Sequence, residues 1–127
     1  MPCSGGKMTV KECYEQIGGN YEEVLQRLMS DERIRKYLLK FIDGDSMQKM
    51  KEALEREDYK EAFLHVHSLK GMSLNLGLTG LSESSHVLCE ALRTGKPAFD
   101  TGPLSVAVEQ DYEKIAEAVK NLREQHS

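Results

Sequence analysis

His67, Lys70 and Gly71 form the grouping in this chain best suited to chemistry. On a helix, a lysine three positions and a glycine four positions beyond a histidine share its face, one turn away. Imidazole is mostly neutral near pH 7 and then offers a nitrogen lone pair. As a nucleophile it forms covalent intermediates. Lys70 stands where its ammonium would face charged oxygens carried by His67. No acidic residue lies three or four positions from Lys70, so no intrahelical ion pair competes for it. At ~6 Å a unit charge gains roughly 1–3 kcal/mol from such an ammonium, depending on the effective dielectric. Gly71 costs about 1 kcal/mol in a helix interior. Close approach by another molecule is one reason to keep a glycine there.

The faces of that helix follow from about 100° per residue. Ala62, Val66, Leu69, Met72, Ser73 and Leu76 cluster on one side, which should meet the core. His67, Lys70, Gly71 and Leu74 fall opposite, and His65 falls at the edge of the core side, in a structural role. Phe63, Leu64, Leu74 and Leu78 would surround the polar centre with apolar surface, as at a docking site. The alternative is that neighbouring short helices cover part of it. Asn75 reads as polar helix surface and Gly77 as a helix-ending glycine.

Other chemistries find little support. His65 and His67 are two apart and diverge on a helix. The four histidines include no facing Glu-x-x-His pairs of the kind that build a metal site in a bundle. No Ser/His/Asp arrangement can be recognised, and no Gly-x-x-x-x-Gly-Lys-Ser/Thr loop is present to hold a nucleotide. The reading is therefore no metal, no resident cofactor and no use of ATP by this chain.

The elements that would position His67 are helical throughout. Residues 1–7 read as a loose tail, and residues 8–127 as one domain. Val10, Cys13, Tyr14 and Ile17 form a first short stripe, ended by Gly18 and Gly19. Asn20 with Glu23 suggests a capping pair before Tyr21, Val24, Leu25 and Leu28. A third stripe begins near Asp31 with Ile34, Tyr37, Leu38 and Phe41. Asp43, Gly44 and Asp45 interrupt or kink it before Met47, Met50 and Leu54. Asp58 and Glu61 suggest a second capping pair, opening the His67 helix, which runs to about Gly77. The next begins at Thr79 or Gly80 and is closed by Gly95 and Pro97. Pro103 fits the first turn of the last helix, lined by Leu104, Val108, Ile115, Ala118 and Leu122. No segment alternates with period two. The expected fold is all-α: an antiparallel, up-down-up-down four-helix bundle with two short N-terminal helices packed against it.

Bulk composition agrees with one soluble core. The chain has 127 residues, 39% hydrophobic and 30% charged, with no tryptophan, so leucine and methionine must fill most of the interior. A net charge of −4 gives no global attraction for nucleic acid or anionic membrane. Cys3, Cys13 and Cys89 are too few and too scattered for a disulfide framework or a zinc site. With neither a signal peptide nor an apolar run of membrane-spanning length, a cytoplasmic protein is expected.

The segment HSLKGMSLNLG, His67 to Gly77, resembles the His-x-x-Lys-Gly signature of histidine phosphotransfer (HPt) domains, with a further glycine six residues later. The stretch LEREDYKEAF, Leu54 to Phe63, is similar to that family too, as are Leu81, Leu88 and Leu92. The resemblance spans roughly Leu38 to Gly95. It implies a bundle with His67 exposed on its second main helix. It implies that Nε2 of His67 takes a phosphoryl group from an aspartyl phosphate on a response-regulator receiver domain, or returns it. Lys70 would stabilise the phosphorylated state and Gly71 would keep the histidine accessible. The receiver would supply the acidic pocket and Mg²⁺. A hybrid sensor kinase is the other implied partner, and the chain itself is expected to be a monomer. The chain departs from the family at one position. Where many members present Gln or Glu to Nδ1 of the histidine, this sequence has Cys89, a weak hydrogen-bonding group. Glu90 follows it and His86 lies one turn earlier; either is a substitute partner, or solvent holds the ring.

The leading expectation is thus a stand-alone phosphorelay intermediate. One alternative is a helical module that docks a receiver or kinase without carrying phosphate. Another is a module detached from a larger hybrid kinase; the initial Met1 favours independence.

Overall fold

The chain is described here by a computed structural model covering residues 9–97 and 100–124. Its helices are α1 (Val10–Ile17), α2 (Tyr21–Leu28), α3 (Asp31–Asp43), α4 (Ser46–Glu55), α5 (Tyr59–Asn75), α6 (Thr79–Leu92) and α7 (Gly102–Glu124). Among the described residues there is no strand. The expected tail, residues 1–7, and Cys3 within it lie outside the described residues.

Short polar side chains start four of these helices by accepting an amide that the first turn leaves unbonded. Thr9, Asn20, Ser30 and Asp58 each accept from the backbone N–H three positions on, at 3.0–3.2 Å. The two expected capping pairs are only half formed. Glu23 turns forward to Arg27, and Glu61 turns forward to His65, both at 3.0 Å. The reciprocal box occurs instead at Thr9 and Glu12. Gly44 and Asp45 separate α3 from α4 outright, so the interruption seen in the sequence is a break between two helices.

α5 lies between α4 and α6, its two most extensive neighbours; α6 packs on α7, and α7 reaches back to α4. α1 and α3 cover α7, and α2 rests on α3 and α1. The apolar side read from the sequence is the core side: Ala62, Val66, Leu69, Ser73 and Leu76 are buried, with Met72 half-buried beside them. Leucine dominates the interior, through Leu38, Leu69, Leu81, Leu88, Leu92 and Leu122. Of the methionines, Met47 and Met50 are buried, whereas Met29 is exposed. Tyr37, expected on the inner stripe of α3, sits at its margin beside Met72 and Asn75 and is 43% exposed. Among the described residues no helix is long and apolar enough to cross a membrane.

The C-terminal end of α5 is pinned by α1 and α2. Its last carbonyls lack partners within the helix. The Arg27 guanidinium donates to the Leu74 and Asn75 carbonyls, and the Tyr14 hydroxyl donates to Leu76 O at 2.6 Å. Gly77 then turns the chain with φ +64°, and its carbonyl accepts from Asn20 N at 2.9 Å. A Cβ on Gly77 would stand 2.5 Å from Val24 Cγ2 and 2.9 Å from Asn20 O.

Two predictions follow from this scaffold. Gly77→Ala combines a left-handed conformation for a residue with a Cβ and a collision with α2. It should destabilise the fold by about 2–4 kcal/mol, measured by thermal or urea unfolding; an unchanged midpoint would contradict the close approach. Burial also pushes the Cys13 thiol from 9.0 up to about 11. Below pH 9 both folded and unfolded thiols keep the proton and its contribution to stability is complete. As pH rises from 9 toward 11 only the unfolded chain releases it, and stability falls by about 1.4 kcal/mol per pH unit for that group. Urea midpoints measured across this range should fall less steeply for Cys13→Ala; an equal slope would contradict the assignment.

Candidate functional site

α5 delivers two opposite faces because nothing breaks it between Tyr59 and Asn75. His67, Ser68 and Gly71 are exposed, Lys70 is half-buried, and Leu64 and Leu74 are 60% and 53% exposed. Leu64 to Leu74 therefore forms an open strip about 15 Å long, centred near His67. His65 lies toward the core edge, half-buried and bonded to Glu61.

The His67 ring rests against Phe63, centroid to centroid 5.8 Å and tilted by 46°. Phe63 is itself half-buried between α5 and the end of α6. Arg93 also meets this ring, its guanidinium 5.9 Å from the Phe63 ring centroid. Arg93 Nε donates to both carboxylate oxygens of Glu90 at 3.2 Å. That hydrogen bond, with the charges of Arg93, His86 and Lys70, holds the Glu90 carboxyl below the ordinary carboxylate range.

Among the described residues, no hydrogen bond links His67 to His86, Cys89 or Glu90. Cys89 is buried, and burial pushes its thiol up against the pull of Lys70 and Arg93. His86 is exposed, and Glu90 is engaged with Arg93. The ring contact of His67 is thus with Phe63.

Leu78 is a correction to the apolar surface read from the sequence. It is 1% exposed and belongs to the core. Helical phase carries from His67 only as far as α5 itself. The left-handed turn at Gly77 resets direction, and Leu78 becomes the residue before α6, facing inward. Arg93 is the neighbour that sequence reading missed. Its spacing from Glu90 was visible as a helical ion pair, but its place over Phe63 depends on how α5 and α6 align.

Lys70 makes no ion pair among the described residues, so its charge is available to an incoming anion. Gly71 has no internal reason to be glycine: a Cβ there would meet nothing within 4 Å. The arrangement can therefore present an imidazole nucleophile and an ammonium that makes no ion pair on an open helix face. Among the described residues no three of His, Cys, Asp and Glu converge as a metal site. The cleft lined by Lys51, Thr101 and Glu109 lies between α4 and α7 and includes none of these side chains.

Comparison with known proteins finds a family and a similar fold. A family model described as Hpt domain matches residues 43–125. The chain is similar to the crystal structure of the HPT domain from the Hpt sensor hybrid histidine kinase of Shewanella. That likeness has a TM-score of 0.73 and 21% identity, covering 87% of this chain and 97% of that one. A comparison with curated protein sequences finds no match.

The empty space at Gly71 yields a test. Gly71→Ala should raise stability by about 0.5–1 kcal/mol, read from urea unfolding. A loss of stability would show that the glycine serves the fold.

Proposed function

The chain belongs to the Hpt domain family, the phosphotransfer modules of phosphorelays, and on that premise we propose that His67 is its phosphoryl carrier. The observation that supports this most is the exposed His67 ring beside an unpaired Lys70, on a helix face where Gly71 leaves open space. In the proposed reaction, Nε2 attacks the phosphorus of a receiver aspartyl phosphate. The N–P bond forms as the aspartyl O–P bond breaks, and the aspartate leaves as carboxylate. The reverse reaction hands the group on. Lys70 neutralises part of the charge on the phosphoryl oxygens. Phe63 limits the tilt of the imidazole, in place of a hydrogen-bonding partner on α6.

The receiver brings the acidic pocket and its Mg²⁺, so the site needs no deep cavity of its own. Leu64 and Leu74, at either end of the open strip, supply apolar contact to that partner, and Gly71 lets its surface approach. We read α4 to α7 as an antiparallel four-helix bundle, supported by their neighbour order and short connections. One copy closes its own core, which supports a monomer. A cytoplasmic location fits the partners proposed.

Incubation with phosphorylated receiver domains tests the proposal. The chain should acquire an acid-labile phosphate that His67→Gln cannot take. Lys70→Ala should slow transfer by about tenfold, equivalent to roughly 1.4 kcal/mol, with its circular dichroism unchanged. Binding to a receiver without any transfer would favour the docking-only alternative. An unchanged rate in Lys70→Ala would remove the role given to the lysine.

A further inference from the structure

We propose that Glu90 competes with the phosphoryl group for Arg93, holding the guanidinium while His67 is bare and releasing it once His67 is phosphorylated. The inference rests on the phosphocarrier reading of His67 and adds two residues to it, one binding phosphate and one acting through the other.

The geometry carries the argument. Arg93 Nε bonds both Glu90 oxygens at 3.2 Å, and Nη2 reaches Glu90 Oε2 as well. The guanidinium is 5.9 Å from the Phe63 ring centroid, and that ring is 5.8 Å from the His67 ring. The pair and the phosphoacceptor thus share one aromatic neighbour, Phe63. The charges of Lys70, on α5, and of His86, one turn earlier on α6, also act on that carboxylate. Glu90 is therefore one carboxylate among several basic side chains, beside the place where a second anion would arrive.

A phosphoryl group carries more negative charge than a carboxylate and offers three acceptor oxygens, and arginine recognises either in the same forked manner. The Glu90–Arg93 pair is built to yield. Its side chains are 44% and 57% exposed and it spans a single turn. Exposed pairs of this kind contribute little to stability. Exchange needs only rotation of the Arg93 side chain about the Phe63 face. No bond of the protein changes apart from the N–P bond at His67.

Chemical phosphorylation isolates this step from partner docking. Phosphoramidate transfers its phosphoryl group to imidazole and releases ammonia, so no receiver is required. After removal of the reagent, loss of phosphate to water is followed by intact mass at pH 8. Glu90→Gln should lengthen the lifetime of the phosphorylated chain about two- to fivefold, and Arg93→Gln should shorten it by a similar factor, the scale of one exposed ion pair. The double variant should behave as Arg93→Gln does, because Glu90 acts only through Arg93. In ¹⁵N spectra the Arg93 Nε–H resonance should move on phosphorylation of the wild type. Lifetimes unmoved, or moved in the same direction by both single variants, would overturn the competition while leaving His67 as carrier. A wild-type chain that takes no phosphate on His67 would overturn the carrier reading and this inference with it.

Discussion

α5 has to be held firmly without being covered. Its inner face is committed to the core through Ala62, Val66, Leu69, Ser73 and Leu76. Its last carbonyls are held by Arg27, Tyr14 and, across the Gly77 turn, Asn20. These contacts come from the sides and from the C-terminal end, which leaves the His67 face clear. The short helices α1 and α2 clamp the end of α5, and α1 also covers α7. A reactive histidine on a loop would be equally open but less well aimed; on a clamped helix its direction is set by backbone that cannot swing.

Near the open face the acidic side chains are engaged, whereas Lys70 makes no ion pair among the described residues. Glu61 is spent on His65, and Glu90 on Arg93. Lys70 is left over among the described side chains. An ammonium without an ion pair, one turn from the imidazole, favours whatever negative charge arrives there. The same surface needs little depth, because the reacting phosphate comes attached to a partner that encloses it. The cleft between α4 and α7 lies elsewhere and includes neither His67 nor Lys70.

Much of this was legible in the sequence where local rules apply. The two faces of α5 follow from helical period alone, and the buried and exposed residues of Ala62 to Leu74 agree with it. Caps at Asn20 and Asp58 and the break at Gly44 were equally local. Reading failed where a rule was carried across a boundary. Leu78 was assigned by extending helical phase through Gly77, where the chain turns left-handed and the phase ends. The clamps on α5 were invisible because Arg27 and Tyr14 lie 47 and 62 residues from the carbonyls they reach. The neighbourhood of Arg93 depended on the alignment of α5 with α6, which no single-helix pattern contains. The family's usual partner position pointed to Cys89, but a buried thiol with no bond to the ring leaves Phe63 as the contact that the structure supplies.

The central claim is that the clear face of α5, and no other histidine-bearing surface, takes the phosphate. Localisation of the modified residue tests it most directly. The chain is charged by a phosphorylated receiver and fragmented by electron transfer, which preserves the N–P bond. The account predicts phosphate on His67 and none on His65, His86 or His126. Phosphate on any of those three, with His67 bare, would contradict it.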